Sequence, residues 1–182
     1  MKEKGISVQD ICMIGVLTAV ISVMSWIRIP MPLGVPMTLQ TFAVPLAGVI
    51  LGPRKGMLAV VLYILLGAIG VPVFSGFSAG PGALFGLTGG FIWAFPLMAL
   101  FAGLGVKKGT VLWITLGLLM GIVADYTVGV LQFMLVSGNS LQTSIMACVL
   151  PFLPTEAIKA ALVGTVGMQC RRALVKNGLA PA

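Results

Sequence analysis

Residues 56–106 read GMLAVVLYILLGAIGVPVFSGFSAGPGALFGLTGGFIWAFPLMALFAGLGV, and none of them is charged. Water offers such a stretch nothing to hold it at a surface, whereas a bilayer accepts it. A spanning helix takes about 20 predominantly apolar residues, so this run holds two, near 57–70 and 89–105, joined by a glycine-rich connection. Working outward, residues 11–27 and 29–53 are also uncharged and give helices near 8–27 and 38–51. Beyond Lys107 and Lys108, two further apolar stretches give helices near 110–136 and 155–170. The first helix ends in no small-residue cleavage site, so it reads as a span and not as a signal peptide.

Composition agrees. Of 182 residues, 59% are hydrophobic before any of the 24 glycines is counted, and 8% are charged. Soluble domains carry about 25% charged residues. The reading is a single integral membrane domain over residues 1–182, all-α, with six transmembrane helices. Cys12, Cys148 and Cys170 are too few and scattered for a disulfide framework and read as small apolar residues. There is no histidine, which excludes histidine catalysis and ligation, and no metal or cofactor is expected. The net charge of +7 finds its explanation in membrane topology, not in nucleic acid.

Six helices place both termini on one side. Lys2, Lys4, Arg54, Lys55, Lys107, Lys108, Arg171, Arg172 and Lys176 then share that side, and Arg28 stands alone opposite. Lysine and arginine mark cytoplasmic loops, so both termini are expected in the cytoplasm, and the protein in the cell membrane. Two outer connections stand out. Residues 28–37, RIPMPLGVPM, hold three prolines and should be stiff and extended. Residues 71–88, VPVFSGFSAGPGALFGLT, form a long uncharged loop without expected regular structure. Such loops are either lids and binding loops or plain surface connections; its apolar character favours binding. No P-loop lysine follows it, so it is no phosphate cradle, and nothing in the chain binds ATP. Residues 137–144 are short and polar, and 145–153 are expected at the outer surface.

Helical rise sets depth. Glu156 lies 15 residues before Arg171 and Lys159 lies 12 before it, roughly 22 and 18 Å from the inner face at 1.5 Å per residue. Asp125 is 17 residues beyond Lys108 and Gln40 is 14 before Arg54, roughly 25 and 21 Å. These polar side chains therefore meet in one layer of the outer half. Charges there are costly unless paired, hydrated or turned to a cavity, so the layer reads as a site for a small polar ligand with donors and an anionic group. The alternatives are a structural Glu156–Lys159 pair at i,i+3 and interhelical hydrogen bonds from Asp125 and Gln40. Thr155, after Pro154, is expected to cap the last helix. On the first helix, Gly15, Ala19 and Ser22 share a face of small residues that admits a partner helix, either within the chain or from another subunit.

Three motifs carry a resemblance. IPMPLGVPMTLQTFAVPLAGVILGPRKG at 29–56, LYILLGAIGVPVFSGFSAGPGALFGLTGGF at 62–91 and PFLPTEAIKAAL at 151–162 resemble the signature blocks of the BioY family. These are the biotin-specific substrate-binding membrane subunits, or S components, of energy-coupling factor (ECF) transporters. The resemblance runs from about residue 13 to 165. It implies a six-helix bundle and a biotin pocket near the outer surface, under the loop after the first helix and the glycine-rich loop. It implies partnership with a transmembrane coupling subunit and two ATP-binding cassette ATPase subunits, and no enzymatic activity. Glu156 and Lys159 match the family's acid and lysine, and Gln40 the glutamine of its TLQ segment. Ser78 falls where some members carry asparagine, Ile92 where some carry arginine, and Phe91 where tyrosine is found. Thr155-Glu156 replaces Gly-Asp.

On this reading Glu156, with Asp125, accepts hydrogen bonds from the ureido N–H groups. Gln40 or Ser78 meets the ureido oxygen, and Lys159 pairs with the carboxylate. Phe74, Phe77, Phe91 and Trp93 supply the apolar wall. Gly15, Ala19 and Ser22 match the family's alanine motif for contacting the coupling subunit. Three other readings remain: an S component for another vitamin, an intramembrane enzyme using Asp125 and Glu156 as a carboxylate pair, and a helix-bundle partner with no ligand.

Overall fold

A computed structural model describes residues 7–31 and 34–179. Lys2 and Lys4 of the topology argument, and part of the proline-rich loop, lie outside the described residues. The first helix, α1 (Val8–Trp26), opens on a capping box: the Ser7 hydroxyl accepts from the Asp10 N–H, and the Asp10 carboxylate accepts from the Ser7 N–H. After it, β1 (Arg28–Ile29) pairs antiparallel with β2 (Met37–Thr38), so the proline-rich loop is a hairpin with Arg28 opposite Thr38. Next come α2 (Gln40–Leu51) and α3 (Pro53–Ala68). The glycine-rich segment follows, then α5 (Gly89–Lys107), α6 (Val111–Ser137) and α7 (Leu141–Cys148). The last helix is α8 (Leu153–Leu162), a π turn (Val163–Gly167) and α9 (Met168–Lys176) in sequence.

The segment expected to lack regular structure is ordered. It holds a 3-10 turn (Ser75–Phe77), a bridge between Phe74 and Ser78, and the short helix α4 (Pro81–Leu84). Side chains from neighbouring helices tie it down, which composition cannot show. Ser25 donates to the Val73 carbonyl, the Trp26 indole to Pro72 at 2.9 Å, and Gln132 to Leu84 and Gly86 at 2.9 and 2.8 Å. Residues 145–148 are helical, forming the end of α7, and Ile145, Met146, Leu150 and Leu153 are exposed.

Among the described residues, only α1, α5 and α6 are individually long and apolar enough to cross a bilayer; α7 and the terminal helix, bent by 48°, make a fourth span if counted together. With 12 residues α2 is too short, about 18 Å against about 30 Å of hydrocarbon. Its ends explain this. An extended strand precedes it, and Gly52, at φ 83°, turns the chain straight into Pro53 at the head of α3. In exchange α2 is almost wholly buried and packs on α1, α3, α5, α8 and α9. Close approach depends on Gly48, where any Cβ would collide with the Ala99 carbonyl of α5.

Around this centre the bundle turns its apolar side chains outward. Val111, Leu112, Leu119, Val123, Leu131 and Leu135 of α6 are all exposed. That surface suits lipid, and the protein is a multi-pass membrane protein. Basic residues gather at one end: Lys55 pairs with Asp10, and Arg171 donates to the Ile50 carbonyl at 3.1 Å. The hairpin and the glycine-rich segment cover the other end.

Candidate functional site

Beneath that cover lies a cavity of about 500 Å³, within the usual range of roughly 300–1,000 Å³ for small-molecule sites. Its floor is built by three helix segments. Gln40 and Thr41 stand in the first turn of α2, Asp125 and Tyr126 midway along α6, and Glu156 and Lys159 on one face of α8. Because α2 starts late, its first turn lies inside the bundle. The roof comes from Arg28, Val35 and Thr38 of the hairpin and from Ser75, Ser78 and Ala83 of the glycine-rich segment. The walls are Phe74, Phe91, Ile92, Phe95 and Phe152.

The structure thus brings together Gln40, Phe74, Ser78, Phe91, Asp125, Glu156 and Lys159. It leaves out Phe77 and Trp93. Phe77 is exposed and stacks on Trp26 with ring centroids 4.9 Å apart. Trp93 follows Ile92, so the 100° helical step turns it away; its indole donates to the Leu84 carbonyl at 3.1 Å. Both secure the glycine-rich segment from outside the cavity. The small-residue face of α1 also divides. Gly15 and Ala19 are exposed, with nothing within 4 Å of a Cβ at Gly15, whereas Ser22 is buried and donates to the Thr18 carbonyl at 2.9 Å.

Polar bookkeeping within the floor separates occupied groups from open ones. Lys159 spends its ammonium on protein: it donates to the Thr38 carbonyl at 2.9 Å, to the Thr41 hydroxyl at 2.8 Å and to Glu156 Oε1 at 2.8 Å. An ammonium has three donors, so none is left for a ligand carboxylate. Gln40 donates to the Tyr63 hydroxyl at 2.6 Å and accepts from Thr38 at 3.0 Å. Thr155 does not cap the last helix; that helix begins earlier, at Leu153, and the Thr155 hydroxyl donates back to the Phe152 carbonyl at 2.8 Å.

Three buried side-chain atoms among the described residues lack a hydrogen-bond partner: Ser75 Oγ, Asp125 Oδ1 and Tyr126 Oη. All three residues line the cavity. Buried polar atoms are nearly always paired, so these point to groups a ligand would satisfy. Sequence reading missed Ser75 and Tyr126. The signal available was that Tyr126 follows a deeply placed acid and that a buried phenol needs a partner.

A membrane bundle with a ligand-sized chamber, closed by two loops and floored by ionisable side chains, defines a solute-binding membrane protein. The chain belongs to the BioY family, whose sequence pattern matches residues 1–176. It is 36% identical over 166 residues to the biotin transporter BioY of Thermotoga maritima, covering 90% of this chain and 96% of that one. It is 43% identical over 127 residues to the probable biotin transporter BioY of Pyrococcus horikoshii, covering 70% and 75%. Its fold matches the crystal structure of the S component for biotin from an ECF-type ABC transporter with a TM-score of 0.80 and 28% identity, over 91% of this chain and 92% of that one.

Proposed function

We propose that this chain is the biotin-binding S component of an ECF uptake transporter. It lies in the cytoplasmic membrane as one six-helix unit with both termini inside, takes biotin from outside, and delivers it inward with a coupling subunit and two ATPase subunits. No chemical step is assigned to it. The family membership and relatives named above support the ligand, and the clustering of Lys55 and Arg171 at the end opposite the hairpin supports the orientation. In this topology α2 and α3 complete six passes as a short, mutually packed pair.

The observation that carries the reading is the set of unpaired buried groups at the chamber. Asp125 offers an acceptor to a ureido N–H, as does Glu156 through its second oxygen. Tyr126 supplies a hydroxyl to the ureido oxygen, while at the roof the Ser78 hydroxyl donates to the Ser75 carbonyl at 2.9 Å and Ser75 Oγ is left open. Phe74, Phe91, Ile92, Phe95 and Phe152 enclose the apolar ring and chain. Lys159 acts as a positioning residue that fixes Glu156 and the Thr38–Thr41 turn.

Uptake of labelled biotin tests the transport role. In cells lacking their own biotin importer, the chain with a coupling module should support ATP-dependent accumulation. No uptake above the module alone, with the chain present in the membrane, would contradict it.

A further inference from the structure

We propose that the ligand's carboxylate is held by Arg28 at the mouth of the chamber and not by Lys159 on its floor. This rests on the binding reading above and names the residue that selects an acid over a neutral ligand. The observations are independent of one another. Lys159 has committed its donors to Thr38, Thr41 and Glu156. Arg28 lines the same chamber, is exposed, and makes no hydrogen bond or ion pair among the described residues. The floor carries two carboxyl groups, Asp125 and Glu156, and its one ammonium is already paired with Glu156. It therefore offers oxygens to N–H donors and no open cation to an anion, whereas the mouth offers Arg28, which matches a ligand with a donor head and an anionic tail.

The position of Arg28 is built, not incidental. Its backbone is fixed in β1 by pairing with Thr38, the residue whose carbonyl Lys159 holds. Its side chain lies across Gly76, where a Cβ would come within 2.8 Å of Arg28 Nε. Gly76 is at φ +68°, a conformation that glycine tolerates best, and its bare backbone leaves the guanidinium its seat. Arg28 thus bridges the hairpin and the glycine-rich segment. A carboxylate bound there, through the planar fork of the guanidinium, would join both halves of the roof.

Equilibrium binding of biotin and of biotin amide to the detergent-purified full chain, with Arg28→Ala and Arg28→Lys beside the native protein, tests this. Arg28→Ala is expected to weaken biotin about tenfold, the scale of a charged hydrogen bond, and biotin amide less than twofold. Arg28→Lys should recover part of the loss, since it restores charge without the fork. Equal losses for acid and amide, or no loss for either, would overturn the assignment while leaving biotin binding intact. A native protein that binds neither ligand would overturn both this assignment and the binding reading.

Discussion

Lys159 and Thr41 converge on a single oxygen of Glu156, at 2.8 and 2.6 Å, and Lys159 also donates to Thr41 at 2.8 Å. Three side chains from two helices thus form a closed triangle on the chamber floor. Breaking a buried ion pair by removing one partner costs about 3–5 kcal/mol, because the remaining charge is stranded. Lys159→Ala should therefore lower the melting temperature in detergent and weaken biotin and biotin amide alike. A variant of native stability that loses only the acid would move Lys159 into direct contact with the carboxylate.

Asp125 behaves differently because its Oδ1 is buried and unpaired. Asp125→Asn keeps the shape but replaces one carboxyl oxygen with an NH2 donor. Biotin affinity should fall by about 1–3 kcal/mol, the cost of an unsatisfied buried group, with thermal stability unchanged or raised. Unaltered titration of the variant with biotin would remove Asp125 from the ligand contacts.

The exposed half of the α1 small-residue face concerns coupling. Gly15→Leu with Ala19→Leu adds bulk where nothing lies within 4 Å of Gly15, so biotin binding by the solitary chain should persist. Partner helices that need small side chains for close approach should be held off. Co-purification with the coupling subunit and ATP-driven uptake should then fall together. Collapse of binding with assembly intact would make this face internal packing.

Gly48 tests the packing of the central helix. Gly48→Ala drives a methyl group into the Ala99 carbonyl, and overpacking of this kind costs about 1–3 kcal/mol. Thermal melts should show a clear drop for Gly48→Ala and almost none for Gly15→Ala. Equal melts would mean that α2 and α5 separate more easily than their packing implies.

The membrane class and the convergence of Gln40, Asp125, Glu156 and Lys159 were legible in the sequence, because charge spacing along a helix converts directly to depth. What was not legible depends on three-dimensional partners. The helix expected near 38–51 is found at Gln40–Leu51, but the strand pairing just before it is a contact that apolar content does not register. Phe77 and Trp93 have the composition of a binding wall, yet helix phase and stacking on Trp26 turn them outward. The engagement of Lys159 rests on the carbonyl of Thr38 and the hydroxyl of Thr41, which no spacing rule locates. Tyr126 follows a deeply placed acid in the sequence, but that its hydroxyl is buried without a partner is a property of the folded chain.

The central claim, that this chamber holds biotin, is tested most directly by equilibrium dialysis of labelled biotin against the solitary purified chain, without ATPase subunits. The account predicts saturable binding of one biotin per chain, displaced by unlabelled biotin and not by unrelated vitamins. Absence of saturable binding by a folded chain, or equal displacement by an unrelated vitamin, would contradict it.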